Sequence, residues 1–182
     1  MRPLRYSINT TLDGCVDHRE GVPEPQMHKH AERMIAEADA LILGRTTYLM
    51  MEEGWRDPDQ VAAMPEWMQS FATAIGAAKK YVVSSVLTEV DWNAELLGGD
   101  LRQAVTELKN RPGNGLYVGG VQLPTALAQW GLIDEYQFLV HPRVIGHGPR
   151  LFDGLEQPID LTLVGREEFR SGAMVLRYRG RE

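Results

Sequence analysis

Cysteine is almost missing from this chain: Cys15 stands alone among 182 residues, which excludes an internal disulfide framework and any zinc site built from several thiolates. A reducing, cytoplasmic setting is therefore expected. Basic residues are in deficit, with 19 Lys and Arg against 25 Asp and Glu and a formal charge of -6. No broad cationic face for nucleic acid or an anionic membrane follows from that balance, so any positive charge used on a ligand must be local. Long apolar runs are lacking too. Met1-Arg2-Pro3 leads straight into a short alternating segment with no signal-type apolar core, and no run approaches a membrane span. A soluble, untargeted protein with no nucleic-acid or membrane partner is expected. The histidines, His18, His28, His30, His141 and His147, form no HExxH-like pattern, and His28 and His30 do not share a helix face, so no metal site is expected.

A chain of this length can bury one full core, and no repeat, low-complexity tract or linker divides it. Residues 1–182 are read as a single domain. Leu4 to Thr11 reads as a strand broken at Asp13-Gly14, followed by a polar loop from Asp17 to Pro25. From Gln26 the pattern turns helical, with Ala31, Met34, Ile35 and Ala38 on one face. Ala40 to Leu43 is the next strand, then a short helix from Thr46 to about Glu52. A Trp-, Met- and Pro-rich insert from Trp55 leads into a helix over Pro65 to Ile75. Lys80 to Ser84 is strand-like and Asp91 to Leu96 is a short strand candidate. Asp100 caps a helix that carries Leu101, Ala104, Val105 and Leu108 and ends near Arg111-Pro112-Gly113. Leu116 to Val118 and the helix Leu123 to Trp130 repeat the strand-helix theme. Strands at Glu135 to Val140, Leu161 to Phe169 and Ala173 to Tyr178 close the chain, the last two as a hairpin across Ser171-Gly172. Strands alternating with helices argue for a mostly parallel α/β sheet that ends in antiparallel pairing.

Two segments run from an apolar strand through glycine into a helix: Leu41 to Tyr48 (LILGRTTY) and Leu116 to Leu123 (LYVGGVQL). A helix start offers unpaired N–H groups and a positive dipole end, and glycine lets an anion approach the backbone. One such junction is compatible with a mere turn or a surface arginine. Two of them suggest a nucleotide held by its phosphates at more than one helix start, and a dinucleotide is the natural candidate.

Taken in order, Asp13-Gly14, Gly44-Arg45-Thr46-Thr47-Tyr48, Ser84-Ser85, Gly119-Gly120, His141-Pro142 and Gly146 before Pro149-Arg150-Leu151-Phe152 resemble the dihydrofolate reductase superfamily. The resemblance is closest to the branch of the riboflavin biosynthesis reductase, the RibD C-terminal domain. It implies a three-layer α/β/α sandwich around a mixed, mostly parallel sheet, and NADPH as cofactor. Gly44, Arg45, Thr46 and Thr47 match a phosphate-holding turn, with Arg45 able to grip a phosphate bidentately. Ser84 and Ser85 match positions beside the adenosine half. Gly119, Gly120, Val121, Gln122 and Leu123 match the second phosphate turn, while Asn9 and Val16 match the nicotinamide lining. Asp13, Tyr48 and Trp55 are the candidate substrate contacts, and Asp13 is the candidate catalytic residue. Asp and Gly also form ordinary turns on backbone grounds alone.

The departures bear on the substrate. Where a folate reductase carries an acid on its first helix, this chain has Met27, His28 and Lys29, with Glu24 and Glu32 as the nearby carboxylates. The deaminase half of the bifunctional riboflavin enzyme needs cysteines that this chain lacks. The insert's Trp55, Met64, Trp67, Met68 and Phe71 are candidates to roof a pocket or to fill a core, and Arg143, Arg150 or Lys80 to meet a substrate phosphate. A stand-alone NADPH-dependent reductase of a small heterocyclic or carbonyl substrate is expected, with 5-amino-6-(5-phosphoribosylamino)uracil as the leading acceptor. Dihydrofolate reduction, or NADPH binding without turnover as a sensor or scaffold, are the alternatives. A homodimer is expected by analogy, through the late strands or the Trp-rich insert.

Overall fold

The structure is a computed structural model that describes residues 1–181. Eight strands form one sheet: β1 (Leu4–Thr11), β2 (Ala40–Gly44), β3 (Lys80–Val83), β4 (Ala94–Leu96), β5 (Leu116–Gly119), β6 (Glu135–His141), β7 (Leu161–Glu168) and β8 (Met174–Gly180). Their order is β4-β3-β2-β5-β1-β6-β8-β7. The first six strands run parallel, and β8 lies antiparallel between β6 and β7. All six parallel strands therefore end at the same edge of the sheet. That edge collects the loops after β1, β2, β3, β5 and β6.

Six helices complete the fold: α1 (Pro25–Glu37), α2 (Arg45–Trp55), α3 (Pro58–Ala62), α4 (Glu66–Ala77), α5 (Leu101–Asn110) and α6 (Gln122–Gln129). The central strands are buried on both faces, as parallel strands must be when helices cover each side. On one face Leu4, Tyr6, Ile42, Leu116 and Val118 pack with Val105 and Leu108 of α5 and Leu127 of α6. On the other, Leu41, Leu43, Val82 and Tyr117 meet Ile35 of α1, Tyr48 of α2, and Phe71 and Ile75 of α4. Each such aliphatic side chain contributes about 1.5–3 kcal/mol on burial, so the alternation along β2 alone ties the two helical layers together.

Element boundaries follow local chemistry. Asp100 caps α5 by accepting the Gln103 amide at 2.8 Å, as its position predicts. The insert contains a helix that periodicity could not register: α3 spans five residues, and its start is held by Asp57, which accepts the amides of Asp59 and Gln60. The loop after β1 contains a single 3-10 turn, His18–Glu20. Lys80, a candidate for substrate phosphate, is instead fully buried, donating to the carbonyls of Ala78 and Trp92 with its ammonium 4.1 Å from the Trp92 ring centre.

Candidate functional site

The two glycine junctions come together at the carboxyl edge. β2 and β5 are neighbours, with Leu43 opposite Gly119, so the starts of α2 and α6 stand side by side. Gly44 is the residue before α2 and Val121 the residue before α6, and neither helix start is closed by a side-chain hydrogen bond. The amides of both first turns are thus left for a ligand or water. Gly120 has φ +95°, and a Cβ there would fall 2.6 Å from Thr47 Oγ1. Across the same seam a Cβ on Gly44 would meet Leu123 Cβ at 3.9 Å. Gln122 is exposed, while Gly119, Val121 and Leu123 are half-buried.

Arg45 and Thr46 are exposed at the head of α2, and the Arg45 guanidinium makes no ion pair or hydrogen bond among the described residues. Ser84 closes β3 on the same edge. Its Oγ accepts the amides of Val86 and Leu87 at 3.1 and 2.9 Å, which leaves the hydroxyl proton free to donate, and Ser85 beside it is exposed. On β1, Asn9 is exposed, whereas Val16 is buried in the loop that follows.

Three of the candidate substrate contacts gain a structural setting. Tyr48 does not face a ligand: it is 2% exposed and its hydroxyl donates to Glu52 Oε1 at 3.0 Å, beside the Asp91 carbonyl at 3.2 Å. It lies on the inner side of α2, where an aromatic ring gains most by joining the core. Trp55 is half-buried: its ring packs edge-on against Phe71 at 4.7 Å and lies 6.1 Å from His28, and it also lines a shallow surface cavity with Val61, Gly76 and Trp92, away from the glycine junctions. Together with Trp67, 4.7 Å from the same imidazole, the insert makes an aromatic nest for His28. Burial holds the His28 pKa below its ordinary value, and Nδ1 is engaged by the Glu24 carbonyl at 3.2 Å.

Asp13 is the third. Its carboxylate accepts the Thr11 hydroxyl at 2.6 Å, the Ile145 amide at 3.2 Å and the Gly146 amide at 2.7 Å, and Arg150 donates to its carbonyl and side chain. These hydrogen bonds hold its pKa far below the usual carboxylate range. Both of its oxygens are engaged by donors of the surrounding loops. What Asp13 does is clasp the 143–150 loop to the loop after β1, a seam continued by Leu12 N–H to Arg143 O, Val16 N–H to Pro149 O and Leu151 N–H to Gly14 O. Arg143 and Arg150 pair with Glu20 and Asp13 respectively, while each guanidinium stays partly exposed.

A model of the RibD C-terminal domain matches residues 2–175. The chain belongs to that family. The RibD C-terminal family assignment agrees with a full-length relative, the protein YyaP of Bacillus subtilis (strain 168), 27% identical over 97% of this chain and 94% of its own. Among solved structures, a protein provisionally assigned to riboflavin biosynthesis from Shewanella sp. PV-4 superposes with a TM-score of 0.74 at 23% identity, covering 99% of each chain. The Thermotoga maritima deaminase/5-amino-6-(5-phosphoribosylamino)uracil reductase matches 98% of this chain and 57% of its own, with a TM-score of 0.66 at 17% identity. Dihydrofolate reductase from Enterococcus faecalis, complexed with NADP(H), matches at a TM-score of 0.64 and 12% identity over 99% and 97%. The fold is thus dihydrofolate reductase-like, a mixed sheet with an antiparallel end, as the sequence motifs imply.

Two buried polar atoms went unrecognised in the sequence. Glu24 and His141 each present a buried side-chain atom, Oε1 and Nε2, with no hydrogen-bond partner. In the sequence His141 stands among the five histidines and in His141-Pro142, with no role of its own. Its neighbours follow from the parallel register of β1 and β6, which no local pattern reveals.

Proposed function

We propose that this protein is an NADPH-dependent reductase of a small heterocyclic or carbonyl compound, with 5-amino-6-(5-phosphoribosylamino)uracil as the leading acceptor. The observation that carries this reading is the contact between the two uncapped helix starts at Thr47 and Gly120. Membership of a reductase-domain family and a fold shared with an NADP(H)-bound reductase support it. The residues present fit the cofactor: a glycine at 120 that lets the α6 turn close against Thr47, two sets of free amides, and an unpaired guanidinium at Arg45.

In this reading the amides of Arg45, Thr46 and Thr47 and those of the α6 start hold phosphate oxygens, and Arg45 adds the charge that favours a 2'-phosphate. Ser84 and Ser85 donate to the adenosine half. Asn9 lines the reacting end, and the Asp13-clasped loops border it. The bound cofactor supplies hydride, so the protein's share is to hold donor and acceptor in register and keep water out.

Titration of the purified protein with NADPH and NADH, read by nicotinamide fluorescence and melting temperature, is expected to favour NADPH. Binding of neither would reject the reading. Oxidation of NADPH with the aminouracil phosphate, dihydrofolate and small carbonyl compounds then identifies the acceptor. A homodimer through the open edge of β7, where Leu163 and Val164 are each 49% exposed, belongs to the same proposal and is read by sedimentation.

A further inference from the structure

The glycine junctions lie at the carboxyl edge of the sheet. At the amino edge, where β1 and β6 begin, Arg2, Arg5, Asp134, Glu135 and Arg179 border a cavity of about 390 Å³. Arg5 and Asn9 are four residues apart on one face of β1, about 13 Å, so this cavity is separate from the proposed reacting end. Strand register sets its charges in one row: Tyr117, Arg5, Glu135, Arg179 and Thr162 stand opposite one another across β5, β1, β6, β8 and β7. Side chains alternate along a strand, so Arg177 lies on the same face as Arg179, about 6.8 Å away. Arg181, just past β8, continues the series, with its Nε donating to the Thr162 hydroxyl at 3.3 Å. Two glycines make room for these side chains. A Cβ on Gly115 would overlap Arg5 Nη1, and one on Gly165 would lie 2.7 Å from Arg177 Nη2.

The carboxylates along the row are already engaged, whereas the guanidinium groups keep N–H groups in reserve. Glu135 has both oxygens taken, Oε2 by Arg5 Nε at 2.9 Å and Oε1 by Arg179 Nε and Nη2 at 3.0 and 2.8 Å. Asp134 Oδ2 accepts the Leu4 amide and pairs with Lys109, each at 2.7 Å. Glu167, further along the face, is held by His30 and Arg33. Arg5 Nη2 and Arg179 Nη1 have no partner among the described residues. Arg2, whose side chain is only 7% exposed, spends Nε on the Leu108 carbonyl and Nη1 on Asp39, which leaves Nη2. Arg5 and Arg179 thus share one carboxylate, and Arg177 pairs with none among the described residues.

We propose that this amino-edge cavity binds a small phosphate-bearing anion, held by Arg5, Arg179 and the buried Arg2, with Arg177 beside it. The proposal stands apart from the reductase reading and does not depend on it. Guanidinium N–H groups match phosphate oxygens, and a tetrahedral phosphate offers acceptors in several directions to donors that reach one cavity from separate strands. In a chain of formal charge -6, such a cluster also supplies the local positive potential that an anion needs.

The test titrates the full-length protein with inorganic phosphate and with pyrophosphate, at an ionic strength held constant with chloride, and follows arginine Nε–H signals by ¹⁵N NMR together with the heat of binding. The starts of α2 and α6 are also open to phosphate, so the location is read from the arginines: the Arg2, Arg5 and Arg179 signals should shift and saturate with a midpoint of about 1 mM or tighter. Arg179→Gln, at an exposed position, should weaken phosphate about tenfold or more and leave the NADPH Kd and the melting temperature near wild type. Glu135→Gln should tighten phosphate severalfold, because it removes the charge that competes for the same two guanidinium groups. An ion triad that serves structure alone predicts no such gain. If Glu135→Gln does not fold, the wild-type arginine signals and Arg179→Gln decide the matter. Arginine signals that stay fixed in phosphate, binding untouched by Arg179→Gln, or a folded Glu135→Gln protein that binds no tighter than wild type overturns the proposal.

Discussion

Gly120 and Thr47 interlock across the seam between β5 and β2, the glycine Cα leaving only enough room for the threonine hydroxyl: a Cβ would lie 2.6 Å from Oγ1. Gly120 also has φ +95°, a conformation that costs an L side chain about 1–3 kcal/mol. Both effects act on the turn that positions the α6 amides. Gly120→Ala is therefore expected to lower the melting temperature and to weaken NADPH by about tenfold or more, roughly 1.4 kcal/mol. Thermal unfolding with and without NADPH measures both. An alanine variant that binds NADPH as wild type does would show that this contact is packing alone.

Arg45 makes no ion pair among the described residues and is exposed, so its removal takes no internal contact away. Arg45→Ala should leave the melting temperature of the free protein within about a degree, since surface changes of this kind fall within about ±0.5 kcal/mol. It should weaken NADPH by about tenfold and NADH much less. Equal losses for the two cofactors would move the guanidinium from the 2'-phosphate to the pyrophosphate.

Elements with their own chemistry were legible in the sequence. β1 is bounded by Asp13-Gly14, α5 starts at a capping Asp100, and the glycine junctions mark the ends of β2 and β5. What depended on tertiary register was not. Tyr48 is one residue beyond Thr47 in the same motif, but the helix turns it inward. Asp13 reads as an open turn carboxylate until the chain returns more than 130 residues later to present the amides of Ile145 and Gly146. Trp55 and Trp67 are apolar residues in a linker-like insert, and only the fold sets them around His28.

The Asp13 clasp predicts a change in order rather than in acid chemistry. Asp13→Asn keeps the size of the side chain but gives up the charge that two amides and Arg150 face. The 143–150 loop should exchange its amide hydrogens faster, most at Ile145 and Gly146, and the melting temperature should drop by a few degrees. If turnover is lost, it should be lost through a raised KM, with no change in the pH profile of kcat. A kcat profile that shifts in this variant would return Asp13 to the chemistry.

His28, His30 and His141 all have pKa values lowered by burial. An unfolded histidine titrates near 6.5, so as pH falls through that value the unfolded chain takes up protons that the folded one refuses. Stability is therefore full above about pH 7.5 and is lost as pH drops through the lowered folded values. The carboxylates with depressed pKa values, Asp39 and Glu135 among them, add to the loss only at more acid pH, because their ordinary values lie near 4. The melting temperature should thus decline between pH 7.5 and 5.5, before any carboxylate titrates. His28 sits against the Trp67 and Phe71 rings, at 4.7 and 5.6 Å, where an imidazolium would have to displace apolar packing or find a partner. His28→Gln should flatten the decline, and the difference in slope between the variant and wild type reports the share carried by the nest. A melting temperature that holds or rises from pH 7.5 to 5.5 would mean that the three imidazoles reach water on protonation, and that the insert opens rather than confines His28.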